Sequence, residues 1–151
     1  MIRDTIKAAQ LESMKSGDKA RLAAVRLILA KIKDRDIELR TASQLPEDDQ
    51  LVVEVLQKMV KQRRESIAMY EAGNRPELAA QEQGEIDVIE SFLPSQMSEA
   101  ETAAAIGAIK AELGASGLKD MGRVMAALKE RHGTVLDMSK ASGLVKAALA
   151  G

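Results

Sequence analysis

Apolar residues recur at steps of three and four along nearly the whole chain, a period that predicts one amphipathic helix after another. Ile2, Ile6, Ala9 and Met14 face inward from a first helix spanning Ile2 to about Lys15, and Ser16-Gly17 closes it, because glycine accepts the left-handed cap conformation. Asp18 caps a second, longer helix from Lys19 to about Arg40, with Leu22, Val25, Leu29, Ile32 and Leu39 on its buried stripe. After the connection Thr41 to Pro46, proline followed by Glu47, Asp48 and Asp49 marks a helix start. Its stripe runs Val52, Leu56, Met59, Ile67, Tyr70 to about Ala72. The turn Gly73-Asn74-Arg75-Pro76 then folds a fourth helix back on it, with Ala79, Ile86, Ile89 and Leu93 inward and Pro94 as the stop.

Past Pro94 the pattern shortens and becomes richer in alanine. Ser98-Glu99-Ala100-Glu101 matches a capping box, and the helix it opens buries Ala105, Ile106, Ile109 and Leu113 before ending at Gly114. Asp120 or Ser116 caps the next, which runs to about Arg131 with Val124, Met125 and Leu128 apolar. In it Gly122 and Ala126 form a small-x-x-x-small face that permits close helix approach. His132-Gly133 ends it, and Asp137 or Ser139 starts a last helix burying Leu144, Val145, Ala148 and Leu149. The expectation is an all-α, multihelical fold: long helical hairpins over 1–94, a linker 95–97, and a smaller tail-like bundle over 98–151.

Charges interrupt these stripes in one place. Arg63 lies within the third helix's stripe, Glu82 within the fourth's, and Glu85 beside it. An antiparallel hairpin centred near residue 74 pairs positions whose numbers sum to about 148, which sets Arg63 level with Glu85 and one turn from Glu82. Two carboxylates at i and i+3 resemble half of a di-metal bundle site, but such a site needs ligands from other helices and no basic partner. The reading is therefore a structural ion pair of Arg63 with Glu82 and Glu85, with no metal and no cofactor.

Composition narrows the picture further. Tyr70 and Phe92 are the only aromatic residues, which argues against a sheet core, and the absence of cysteine excludes disulfides and thiolate chemistry. A net charge of -1 removes the global positive field that many nucleic-acid binders use. No apolar run approaches a bilayer span, and the first residues carry Asp4 and Glu12 where a leader would be apolar, so the expected location is the cytoplasm and no membrane partner is expected. Lys31, Lys33, Arg35 and Arg40 on the second helix, interleaved with Asp34, Asp36 and Glu38, read as a solvated face. Residues 98–151 hold seven Lys and Arg against six Asp and Glu, so that part is near +1 while the rest is near -2. Lys119, Arg123, Lys140 and Lys146 lie in the first turns and on exposed faces of the last two helices, where backbone N-H groups would add to a phosphate site; a solvated surface is the plainer reading. Gly114-Ala115-Ser116-Gly117 matches a G-x-x-G backbone clamp, but a helix cap followed by a turn accounts for both glycines.

Several separated stretches together resemble the YqeY family. They are Val25-Arg26, Lys61-Gln62-Arg63 with Glu65-Ser66 and Tyr70, Gly73-Asn74-Arg75 with Leu78-Ala79 and Glu82, and Glu85-Ile86. Phe92-Leu93-Pro94, Gln96, Asp120-Met121-Gly122 with Val124-Met125, and Val145-Lys146 with Leu149 complete the set. The C-terminal part of that family is similar to the tail of the B subunit of the glutamine-dependent aspartyl/glutamyl-tRNA amidotransferase, where the tail helps bind tRNA and the chemistry sits in other domains. The resemblance implies a non-catalytic accessory protein whose partners are tRNA or an amidotransferase or tRNA-synthetase complex, with a protein-protein adaptor as the alternative. A carbon-nitrogen ligase using glutamine in its own right ranks last, since the amidase lysine-serine-serine arrangement and the kinase-like cradle have no counterpart here. Thr134 to Met138 is more apolar than the polar, glycine-containing loop that the family often carries there.

Overall fold

The computed structural model describes residues 1–150, and all of its regular structure there is helical. Seven α-helices follow in order: α1 Ile2–Ser16, α2 Lys19–Glu38, α3 Asp48–Ala72, α4 Pro76–Glu90, α5 Glu99–Leu113, α6 Met121–His132 and α7 Met138–Ala150. Two short 3-10 turns, Leu39–Thr41 and Leu118–Asp120, lie between them, and no strand occurs among the described residues. The fold is all-α and multihelical. Its contacts divide it into two units, Met1–Leu93 and Pro94–Gly151.

In the first unit α1 and α2 form one antiparallel pair and α3 and α4 a second, longer one, packed around Ile6, Val25, Ile28, Ile32, Val52, Leu56, Met59, Ile86 and Ile89. Each fully buried side chain of this size stabilises the folded state by about 1.5–3 kcal/mol in transfer terms. Local chemistry sets the corners. Gly17 takes φ +74, Asp18 accepts the Arg21 N-H at 3.1 Å, Pro76 opens α4, and Asn74 tolerates φ +55 because its short polar side chain suits the left-handed region.

The inward faces of three helices differ in detail from the expected stripes. Met14 is 52% exposed and Ser13 turns inward instead. On α2 the fully enclosed positions are Val25, Ile28 and Ile32 with Ala24, whereas Leu22 and Leu29 are half-buried. On α3, Leu51, Val53 and Val60 join the stripe because this central helix touches α1, α2 and α4 and buries a wider face. The helix also starts at Asp48, so Pro46 precedes it rather than occupying its first turn. α4 ends at Glu90, and Ser91, Phe92 and Leu93 form closing turns before Pro94 is reached.

The charged residues at these ends do work that their spacing did not show. The Arg3 guanidinium donates to Asp36 at 2.8 Å and to Asp48 at 2.8 Å, and the Ile2 N-H donates to Asp49 at 3.0 Å. Thus the start of α1, the end of α2 and the start of α3 are tied together. The hydrogen bond from Arg3 holds the Asp36 carboxyl below the usual carboxylate range, and both aspartates raise the guanidinium further.

In the second unit α5, α6 and α7 each pack on the other two around Ile106, Ile109, Val124, Leu128, Ala141, Val145 and Leu149. The capping box at α5 is complete: Ser98 Oγ accepts the Glu101 N-H at 3.1 Å and Glu101 accepts the Ser98 N-H at 3.2 Å. Gly114 closes α5 at φ +63. Gly122 and Ala126, expected in a close helix contact, are both exposed, and a Cβ at Gly122 would meet nothing within 4 Å. α6 packs instead through Val124 and Leu128. The apolar loop after α6 has a structural reason: Leu136 is buried, the Val135 carbonyl accepts the Met97 N-H at 2.7 Å, and Thr134 accepts from Gln96 at 3.1 Å. Residues 96 and 97, expected as linker, are therefore bonded into this unit.

Candidate nucleic-acid interface

The four basic residues singled out for phosphate binding arise from two corners of the second unit. Lys119 stands exposed in the Leu118–Asp120 turn, which packs against both α6 and α7. Arg123 follows in the first turn of α6. Asp120 occupies the N-cap position of that helix without a side-chain cap bond; its carboxylate instead accepts the Ser116 N-H at 3.1 Å and the Arg123 guanidinium at 2.7 Å. Those bonds, Arg123 first, hold the Asp120 carboxyl below its ordinary value. The residue is buried while the Arg123 side chain remains 57% exposed, so Asp120 orients a guanidinium whose other face is open to solvent.

Lys140 and Lys146 belong to α7, whose first turn is capped by Asp137, accepting the Ser139 N-H at 2.9 Å. Lys140 borders an open cleft of about 350 Å³ lined by Met97, Glu99, Thr102, Leu136, Asp137 and Leu144. Lys146 is exposed six residues later. At 100° per residue the two lysines point about 120° apart around the outer side of α7, so the four cations form a dispersed surface rather than one cluster.

Other cations of this unit are consumed by structure. Lys110 donates to the Ala148 carbonyl at 2.9 Å, satisfying an end of α7, and Arg131 makes two 2.7 Å bonds to Glu112 across α5 and α6. The latter lowers the Glu112 carboxyl and raises the guanidinium. Neither tie is visible in spacing, because the partners are remote in sequence. Lys119, Lys140 and Lys146 make no ion pair among the described residues.

In the first unit Arg63 donates through Nε to Glu85 at 3.0 Å and stands 3.8 Å from Glu82, while Nη1 reaches the Met59 carbonyl at 3.4 Å. The three side chains are 12%, 31% and 23% exposed, so the clasp is partly buried, with both carboxylates reachable by water. Its geometry joins α3 to α4. Among the described residues no group of three or more His, Cys, Asp or Glu is placed to hold a metal ion, and no helix is long and apolar enough to cross a membrane.

Comparison with known proteins finds similar chains in fungi. Altered inheritance of mitochondria protein 41, mitochondrial, from Saccharomyces cerevisiae is 31% identical over 88 residues, which take in 58% of this chain and 46% of the relative. The Candida glabrata protein of the same name is 34% identical over 89 residues, 59% and 48% respectively. The chain thus spans about half the length of these relatives. An uncharacterized protein of Schizosaccharomyces pombe is 30% identical over 98 residues, covering 64% of this chain and 76% of its own. The family model for Yqey-like proteins matches residues 3–149, from the Arg3 tie to the last core leucine. The chain belongs to the Yqey-like protein family.

Proposed function

We propose that this protein is a non-catalytic accessory factor that binds tRNA, or an amidotransferase-like complex carrying it, through its C-terminal unit. The observation that supports this reading is the division of labour among the cations there. Lys110, Arg123 and Arg131 are tied to partners of the fold, whereas Lys119, Lys140 and Lys146 stand exposed and unpaired. Unpaired lysines are the ones available to displace counterions from a phosphate backbone. Arg123, oriented by Asp120 and 57% exposed, adds a guanidinium fork four residues from Lys119.

Retardation of total tRNA by the purified protein at two salt concentrations tests the proposal. Binding at low salt should weaken steeply as salt rises, and replacing Lys119, Lys140 and Lys146 together by glutamate should abolish it. Absence of retardation at low salt would remove the RNA reading. Transfer of ammonia from glutamine by the isolated chain would remove the non-catalytic part.

A further inference from the structure

α2 carries two apolar faces, only one of which is used by the fold. Its inner face buries Ala24, Val25, Ile28 and Ile32. On the opposite side Ala20, Ala23, Leu27, Ala30 and Ile37 are all exposed, Leu27 at 38% and Ile37 at 45%. Their numbers advance by three and four, with Asp34 filling the remaining place, so they lie in one line along the helix as the seam of a coiled coil does. Beside that line runs a second one of strict seven-residue period: Lys19, Arg26, Lys33 and, in the following turn, Arg40. Successive members are about 10.5 Å apart where the chain is α-helical.

Of the acids interleaved with these cations only Asp34 has no partner, and it stands in the seam beside Lys33, where it offsets at most one of the four positive charges. Asp36 is bonded to Arg3, Glu38 to Arg35, and Asp18 caps α2 through the Arg21 N-H. Lys19, Arg26, Lys33 and Arg40 are exposed and make no ion pair among the described residues. An exposed, mainly apolar seam flanked by a row that stays net basic is the complement of a helix with an apolar seam and an acidic flank. A second copy of the chain fits poorly, because in an antiparallel pair the basic row would face itself. Phosphate alone would have no use for the seam. We propose that the outer face of α2 docks an acidic amphipathic α-helix of a partner protein, a role separate from the C-terminal cations.

The full-length chain is titrated, by fluorescence anisotropy, into a labelled synthetic helix of about three heptads with leucine on the seam and glutamate on the flanks. The wild-type chain binds it at low salt. The Arg26→Glu/Lys33→Glu variant, at exposed positions and with unchanged helical circular dichroism, loses at least about tenfold in affinity and gains affinity for the same peptide with lysine flanks. A peptide keeping the glutamates but with serine on the seam binds at least about tenfold more weakly. Failure of the glutamate-flanked peptide to bind, equal binding by the charge-reversed variant, or equal binding of the serine-seam peptide each overturns the proposal. So does dependence of anionic vesicle or duplex RNA binding on Arg26 and Lys33 when the peptide does not bind.

Discussion

Replacing Arg63 by methionine tests whether the α3–α4 clasp fixes the hairpin or merely decorates it. Methionine keeps most of the apolar stem, so the change isolates the guanidinium. An exposed ion pair contributes about 0.2–1 kcal/mol, and removing one member of a fully buried pair costs about 3–5 kcal/mol. Arg63 is 12% exposed, but Glu85 and Glu82 are 31% and 23% exposed and stay hydrated when it leaves. The loss should therefore fall between the limits, at about 1.5–2 kcal/mol. Glu85→Gln should cost about 1 kcal/mol, because the 3.0 Å bond weakens but survives as a neutral one. Glu82→Gln should cost less than about 0.5 kcal/mol, since 3.8 Å is a charge contact without a hydrogen bond. Tyr70 is the single tyrosine and lies in the first unit, and the second unit holds no aromatic residue, so tyrosine fluorescence reads this unit alone during urea or thermal unfolding. For a unit of this size Arg63→Met should lower the midpoint by about 6–15 °C. A double-mutant cycle should give a larger coupling for Arg63 with Glu85 than with Glu82. An unchanged midpoint for Arg63→Met, or a larger coupling to Glu82, would refute the reasoning.

Ser13 is 1% exposed and its hydroxyl has no hydrogen-bond partner. Ser13→Ala should raise stability by about 1 kcal/mol, read by Tyr70 fluorescence, because it removes an unmet desolvation cost and improves helix propensity. Gly114→Ala should lose about 1 kcal/mol from strain at φ +63 alone, while Gly122→Ala, helical and with open space around it, should gain up to about 1 kcal/mol; far-UV circular dichroism melts compare them. Asp36 and Asp120 have lowered folded values, so the stability they add is present above their ordinary 3.8 and is lost as pH falls from there through the lower folded values. The melting midpoint should hold from about pH 7 to 5 and decline below about pH 4, with a shallower decline in Asp120→Asn.

What the sequence made legible and what it hid follow from the range of each interaction. Caps, turns and helix existence are set within a few residues, so Gly17, the Ser98–Glu101 box, Pro76 and Gly114 stand out in the chain itself. The hairpin register follows from the turn, because a centre near residue 74 leaves Arg63 facing Glu85. Ties such as Arg3 to Asp36 and Asp48, or Lys110 to Ala148, join residues more than thirty positions apart and leave no periodic trace. The candidate cations divide the same way: that Lys119 and Lys140 are exposed follows from their places in the pattern, whereas the orientation of Arg123 by a buried Asp120 depends on a 3-10 turn that no propensity announces.

α2 shows why periodicity alone can blur the edge of a core. A helix with one apolar face has a single best direction, and a stripe read from its sequence lands on the buried side. α2 has apolar residues on two nearly opposite sides, which cancel in a helical average, so the stripe Leu22, Val25, Leu29, Ile32 joins the enclosed Val25 and Ile32 to the half-buried Leu22 and Leu29 and passes over Ala24 and Ile28. The same cancellation affects α5, whose Ala103, Ala104, Gly107 and Ala108 are exposed opposite Ile106 and Ile109. Small residues there cost little when hydrated, so nothing need cover them. Leu27 and Ile37 are different, because two branched side chains still 38% and 45% exposed beside an unpaired basic row forgo further burial worth about 0.6–1.4 kcal/mol each. That remaining exposure, beside an unpaired basic row, is what distinguishes the outer face of α2 from the alanine face of α5.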